Sequence, residues 1–87
     1  MSKINAKSYL SNIQDSWTAK ERIRKLLKDD YPNVLIKTFE IHIYPCKCVY
    51  FFGASTGRTQ IELSGTQESL YKAYLEIHSY VSNKINS

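Results

Sequence analysis

Two groups of residues in this sequence have types and spacing that could do chemistry. The larger is a run of five cations, Lys20, Arg22, Arg24, Lys25 and Lys28. On a helix, at about 100° per residue, Lys20, Arg24 and Lys28 fall on one side, and Arg22 lies across from them. Such a stripe attracts polyanions and can neutralise phosphates. The alternative interpretation is an ordinary solvated helix face, in which Glu21 pairs with a lysine one turn further on.

The second group is His42, Cys46 and Cys48, whose side chains are all of types that ligate metals. A closed structural zinc site needs four ligands, and the paired Cys-x-x-Cys signature is missing. A disulfide between Cys46 and Cys48 would be strained because the two residues are so close in the chain. We therefore expect no metal and no disulfide here, only two thiols at a strand end.

No serine, cysteine or carboxylate stands in a recognisable nucleophile motif, and the chain carries no cofactor signature. The stretch Gly53–Arg58 could cup an anion with its glycines and hydroxyl groups. It lacks the Gly-Lys-Ser/Thr ending of a phosphate-binding loop, so we expect a hairpin turn whose Arg58 extends a basic surface. The aromatic run Tyr50–Phe52 could stack on bases, although a central strand in the core explains it more simply. We predict a protein that is not an enzyme and needs no cofactor.

The chain has 87 residues and a formal net charge of +4, all of which lies in its first part. Residues 1–37 hold eight Lys or Arg and four Asp or Glu, whereas residues 38–87 hold four of each. This length predicts a single domain over residues 1–87. No apolar run approaches the ~20 residues of a membrane span or resembles a secretory signal. The sequence therefore predicts a soluble, intracellular protein with reduced thiols and no membrane partner.

The elements that must position these residues follow from hydrophobic periodicity. Apolar residues at helical spacing predict a first helix over Ile4–Trp17. Thr18 and Glu21 then form a capping box that opens a second helix, and Trp17 is expected to pack on the core as a hydrophobic staple. The second helix carries the cations and ends before Pro32, because the residue before proline disfavours helical backbone.

Three strands and a last helix follow. Alternation predicts strands at 34–44 and 59–64, and the almost continuously apolar stretch Cys48–Ala54 predicts a strand covered on both faces. A turn at Ser64–Thr66 leads into a helix whose core stripe runs from Leu70 to Ile85. The prediction is an α+β domain in the order α-α-β-β-β-α. Short hairpin links give a three-stranded antiparallel sheet with the helices packed on one face.

The end of the chain resembles the KH family. The stretch Ile61–Ile77 is similar to the last strand and last helix of a KH domain, with an alternating strand, a Ser-Gly-Thr turn, an acidic residue and an inward alanine. Upstream, Glu21–Ile36 resembles the KH helix after the phosphate loop and its following strand. The resemblance covers roughly residues 17–81 and implies binding of single-stranded nucleic acid. The Gly-x-x-Gly loop that clamps the nucleic-acid backbone would fall at Trp17–Lys20, where neither glycine is present.

A second resemblance lies in the order of elements. A helix, three strands and a helix are also the order of double-stranded RNA-binding domains, which contact duplexes through shape, 2′-hydroxyls and phosphates. Those domains usually carry a basic cluster at the start of the final helix. Here residues 66–71 read Thr-Gln-Glu-Ser-Leu-Tyr, which argues against ordinary duplex binding.

We therefore predict a nucleic-acid-binding module, with RNA, and in particular single-stranded RNA, as the expected ligand. The mechanism is phosphate neutralisation with little sequence readout. The expected binding residues are Lys20, Arg22, Arg24, Lys25, Lys28 and Lys37. The alternative is a protein–protein interaction module, such as an adaptor, assembly subunit or small inhibitor, which the seven tyrosines favour. An exposed strand edge would also allow a homodimer by sheet extension.

Overall fold

The computed structural model describes residues 5–86. Its elements are α1 (Ala6–Tyr9), α2 (Ser16–Asp30), β1 (Leu35–Ile43), β2 (Cys48–Ser55), β3 (Gln60–Gln67) and α3 (Leu70–Ile85). This order confirms the predicted α+β fold. Within the described residues, no helix is long and apolar enough to cross a lipid bilayer.

The three strands form an antiparallel meander with β2 in the centre. Phe39 pairs with Phe52, which pairs in turn with Leu63. Links of four residues join the strands, and Gly57 takes a φ of 91° in the second link, a conformation that glycine adopts without strain. A bulge shifts the register of β1 between Ile36 and Thr38. The sheet therefore has two free edges, along β1 and along β3.

The core lies between one face of the sheet and helices α2 and α3. Alternate strand residues turn towards the helices, and Phe39 meets Phe52 edge-on with ring centroids 5.6 Å apart. Helix α2 packs against β1, and α3 packs against β3 and β2. The buried helix residues are Ala19, Ile23, Leu26 and Leu27 of α2 and Leu70, Ala73, Tyr74, Ile77 and Val81 of α3. The opposite face of the sheet is open.

Polar contacts at two places along α3 tie it to the rest of the domain. The Tyr50 hydroxyl donates to the Glu76 carboxylate, which also accepts from the Gln67 amide at 3.0 Å. These hydrogen bonds lower the pKa of Glu76, while burial first and the Glu76 hydrogen bond second raise the pKa of Tyr50. At the far end, the His78 ring contacts the Asp30 carboxylate of α2, with Nε2 and Oδ2 3.0 Å apart.

The beginning of the chain differs from the prediction. Ile4 lies outside the described residues, the first helix is only Ala6–Tyr9, and Ser16 and Trp17 at the end of the predicted range belong to α2. Asn12 then has a φ of 59°, a left-handed conformation that asparagine tolerates and that a continuing helix cannot contain. The predicted cap at Thr18 is also wrong. The Asp15 carboxylate instead accepts the Thr18 amide at 2.7 Å, so α2 begins at Ser16.

Two predictions about the strands are also corrected. Strand β2 is covered on one face only, because Phe51 is 40% exposed on the open face. The predicted turn at Ser64–Thr66 is part of β3, which stays paired with β2 up to Gln67. The cap of α3 is Ser69, whose hydroxyl accepts the Lys72 amide at 3.2 Å. Pairing with a central strand supplies hydrogen bonds that the local Ser-Gly-Thr signal does not take into account.

Candidate nucleic-acid interface

Helix α2 divides its charged residues between two flanks. Its apolar stripe packs on β1, so the remaining residues lie on either side of that stripe or point to solvent. The helix is anchored at its start by Asp15, whose pKa is lowered by the Thr18 backbone N–H. We call Lys20, Arg24, Lys25 and Lys28 the outer flank. The other flank carries Arg22.

The outer flank is accessible, and two carboxylates, Glu21 and Asp29, border the same depression as three of its cations. Lys25 and Lys28 are exposed, and Lys20 and Arg24 are half-buried. Glu21 is the one carboxylate paired with this flank among residues 5–86, and its Oε2 lies 4.0 Å from Arg24 Nε. That separation is too long for a hydrogen bond. Arg24 Nε is shielded from solvent and has no hydrogen-bond partner among the described residues. Four positive charges thus face solvent on one side of the helix.

Arg22 has a different role from the other predicted cations. Its guanidinium Nη1 donates to the Tyr9 carbonyl at 2.8 Å, and its Cζ lies 4.9 Å from the centroid of the Tyr9 ring. Both contacts hold the α1 segment against α2. Such a hydrogen bond and cation–π contact together orient the guanidinium, so Arg22 is committed to the fold.

Lys37 does not line the groove beside the start of α2. It borders a shallow depression together with Ser55, Arg58 and Gln60, next to the link between β2 and β3. The structure therefore brings Lys37 together with Arg58, as a second and smaller basic patch. Gly53–Arg58 forms the end of β2 and the hairpin turn, which was the expected structure for this stretch.

Trp17 is the residue that the sequence prediction misplaced. It is 68% exposed on the first turn of α2 and does not pack on the core as a staple. It borders a groove between α2 and the free edge of β1, with a volume of about 230 Å³. We call this the β1 groove; it is lined by Ser16, Trp17, Lys20, Phe39, Glu40, Ile41 and His42.

A signal for the position of Trp17 was present in the sequence. Once Asp15 is taken as the helix cap, Trp17 becomes a helical residue three positions before Lys20 and seven before Arg24. Positions i, i+3 and i+7 share one side of a helix, so Trp17 belongs in phase with the cations. The misplaced cap at Thr18 concealed that relation.

The cysteines and the other candidate groups named in the sequence take part in contacts within the fold or lie free on the surface. Cys48 is buried and its thiol donates to the Ser69 carbonyl at 3.5 Å, and burial raises its pKa. Cys46 is exposed, and both cysteines are free. No group of three or more His, Cys, Asp or Glu side chains is arranged to hold a metal within the part of the chain that the structure describes. On α3, Lys72 pairs with Glu68 at 2.9 Å.

Fold and site together define a small α+β domain with a cationic, tryptophan-bearing helix flank beside an open sheet edge. No protein-family model, no curated protein and no solved structure matches the chain.

Proposed function

We propose that this domain is a non-enzymatic nucleic-acid-binding module that binds single-stranded RNA through the outer flank of α2. The observation that carries the proposal is the set of four neighbouring cations on one side of α2, of which only Arg24 forms an ion pair with another described residue. Such cations neutralise phosphates and release counterions, which gives affinity with little dependence on base sequence.

The six predicted residues divide into three roles. Lys20, Arg24, Lys25 and Lys28 contact phosphates. Arg22 supports them indirectly by holding the α1 segment in place through Tyr9. Lys37 forms a secondary contact with Arg58 for a strand long enough to reach that end of the sheet.

A single strand is favoured over a duplex by two observations. At the start of α3, where the duplex-binding domains named above are basic, Lys72 pairs with Glu68, which precedes the helix cap, so this region contributes no net charge. The exposed Trp17 ring lies next to Lys20, and aromatic rings stack on bases that are not already paired. The resemblance to KH domains points to the same class of ligand. With such a ligand the protein acts inside the cell, where its two free thiols stay reduced.

Fluorescence anisotropy with a labelled oligouridylate, repeated over a range of salt concentrations, tests the proposal. The variant Lys20→Glu/Arg24→Glu/Lys28→Glu should lose affinity by at least about 100-fold, and the salt slope should fall by about two units, since each single-strand phosphate contact contributes ~0.7. The matched control is Lys7→Glu/Lys47→Glu/Lys72→Glu, which has the same net charge but changes exposed lysines elsewhere.

The control should retain most of the affinity of the unaltered protein. Equal losses in both triple variants would mean that only net charge matters, and the outer flank would no longer be a site. If the unaltered protein does not bind the oligouridylate even at low salt, RNA binding is excluded as the function.

A protein-interaction function is the second candidate, and the open sheet supports it. Phe51 is 40% exposed at the centre of the open face, and Leu35 is 63% exposed on edge strand β1. A partner strand, including one from a second copy, could extend the sheet at a free edge. Sedimentation of the protein alone distinguishes this candidate, because a sheet-extension dimer persists at high salt whereas RNA binding does not.

A further inference from the structure

Trp17 is the most exposed large apolar side chain of the described domain, at 68%. Leaving an indole in water forgoes a burial free energy that is available to nearly every other aromatic residue here. Its backbone is nevertheless fixed, because it lies in the first turn of α2 behind the Asp15 cap. An exposed aromatic ring on an anchored helical turn is available to a ligand at a defined place.

The surroundings of the ring indicate the chemistry of that ligand. The β1 groove is lined on the α2 side by Trp17 and Lys20. On the β1 side it is lined by four successive residues, which are the apolar Phe39 and Ile41 and the polar Glu40 and His42. Because β1 has only one neighbouring strand in the described structure, alternate backbone amides and carbonyls on its outer edge have no strand partner, and this edge lines the groove at residues 39–42. A flat ring with polar edges satisfies both features: its face stacks on the indole, and its edge hydrogen-bonds to the strand.

We infer that the β1 groove binds one unpaired nucleobase of single-stranded RNA, stacked on Trp17, and that Lys20 contacts the adjoining phosphate. This inference rests on the proposed function and adds a site to it. It also defines the path of the RNA strand across the surface of the domain. One base is held at the start of α2, and the backbone then follows the outer flank towards the end of the helix.

The spacing of the cations fits that path. Lys20 follows Trp17 by three residues, and Arg24 and Lys28 each follow by four more, so successive groups are about 4.5–6 Å apart along the helix axis. Neighbouring phosphates of an extended strand have a similar separation. The cations that continue from the groove along α2 also favour RNA over an extended peptide, because a peptide backbone carries no charge for these cations to bind.

The site predicts a preference that phosphate binding alone does not. A base can stack on Trp17 only if it has left its own helix, so a duplex of the same length forfeits this contact. Removal of Trp17 should therefore weaken single-strand binding and leave duplex binding unchanged. It should also leave the salt slope unchanged, because no phosphate contact is lost.

The protein contains a built-in probe, because Trp17 is its single tryptophan. Its fluorescence should be quenched on titration with an oligouridylate of about eight nucleotides, a length in the usual range for one small domain. An abasic oligomer with the same number of phosphates is the matched ligand. It should bind in a salt-dependent way, as measured by competition, without quenching the indole.

Trp17→Ala should bind the oligouridylate about ten-fold more weakly. Trp17→Phe should lose less affinity, because a phenyl ring can still stack on a base. Because Trp17 is exposed, both variants should melt at nearly the same temperature as the unaltered protein, which separates a lost contact from a lost fold.

Salt-dependent binding without quenching, and with equal affinity in Trp17→Ala, would overturn the stacking site while leaving the phosphate surface intact. Absence of any binding would overturn both this inference and the proposed function. Quenching by an uncharged extended peptide, but not by the oligouridylate, would show that the groove receives a protein strand and would also overturn the inference.

Discussion

The two flanks of helix α2 carry the same kinds of residue but differ in what surrounds them. On one flank, Arg22 is fastened to Tyr9 by a hydrogen bond of 2.8 Å and by contact with its ring. On the other, Lys20 lies beside the free edge of β1, and Arg24 and Lys28 border a depression on the same helix. The comparison teaches that a count of cations in a segment overstates a binding surface. A cation that the fold already holds by a short hydrogen bond, as it holds Arg22, is less available to a ligand.

The largest effect on stability is expected from a change in the apolar stripe of α2, which supports both flanks. Ile23 is fully buried at the middle of the apolar stripe of α2. Ile23→Ala should lower the free energy of unfolding by about 2–5 kcal/mol, through lost burial and the cavity it leaves. For a domain of this size that is a large part of the total stability.

Urea denaturation followed by circular dichroism measures this loss, and Ile23→Val, at about 0.5–1.5 kcal/mol, is the graded control. At a temperature where Ile23→Ala is still folded, RNA affinity should be close to normal, since no flank residue has changed. Loss of RNA affinity with full retention of fold would contradict the division of α2 into support and surface.

A reciprocal pair of variants separates the flanks directly. Arg22→Ala should lower the free energy of unfolding by about 1–2 kcal/mol, because it removes a charged hydrogen bond and a cation–π contact. Its RNA affinity should change little. Lys20→Ala should do the reverse, with stability within about 0.5 kcal/mol of the unaltered protein and weaker, less salt-dependent RNA binding.

Thermal melts and anisotropy titrations on the same four samples, the two variants, their combination and the unaltered protein, provide the measurement. The combined variant should show both effects added, because the two side chains share no contact partner in the described structure. Equal losses of RNA affinity in the two single variants would mean that both flanks bind.

The fold was readable from the sequence wherever one hydrophobic period dominated. Alternation identified β1 from Phe39 and Ile41, and the stripe from Leu70 to Val81 identified α3. Errors arose where a local signal competed with a distant partner. Gly65 resembled a turn residue, yet it lies in β3 against Tyr50, and a Cβ built there would be 3.0 Å from the Tyr50 hydroxyl. Close approach to a buried ring, and not a turn, is what that glycine provides.

The site was only half readable, for a related reason. Helical phase correctly placed Lys20, Arg24 and Lys28 together and Arg22 across from them. The pairing of Arg22 with Tyr9 depends on how residues 5–14 fold back, which begins at Asn12 and has no periodic signal. Likewise, Trp17 is a helical and exposed residue because Asp15 caps α2, three residues before the predicted cap at Thr18.

A smaller effect is expected from two neighbouring aspartates at the end of α2. Asp29 is exposed and borders the same depression as Arg24, Lys25 and Lys28, whereas Asp30 pairs with His78 of α3. Asp29→Asn should strengthen RNA binding by about two-fold, since it removes one screened negative charge near the cations. Asp30→Asn should instead cost up to about 1 kcal/mol of stability.

These two variants change the same charge by the same amount, so each is the control for the other. Anisotropy at low salt gives the change in affinity, and urea denaturation gives the change in stability. If Asp29→Asn leaves RNA affinity unaltered at low salt, the outer flank does not extend to the end of the helix.

The smallest expected effect is on the stability of the domain at acidic pH, to which one carboxylate at the start of α2 and one on α3 contribute separately. Asp15 on α2 and Glu76 on α3 both have a lowered pKa, the first from the Thr18 N–H and the second from the Tyr50 hydroxyl. A carboxylate with a lowered pKa adds stability above its ordinary value, 3.8 for Asp15 and 4.5 for Glu76. That stability is lost as the pH falls through the lower value in the folded protein.

Glu76→Gln should therefore flatten the loss of stability just below pH 4.5, by at most about 1 kcal/mol because the carboxylate is exposed. Asp15→Asn should flatten the lower part of the curve and keep the helix start, because asparagine caps as well as aspartate. Glu62→Gln, at an exposed position of β3, makes the same chemical change as Glu76→Gln and is the matched control. Urea midpoints measured between neutral and acidic pH give the three curves. If Asp15→Asn flattens the curve of stability against pH but leaves Trp17 fluorescence unaltered, the environment of Trp17 depends on the geometry of the helix cap and not on the charge of residue 15.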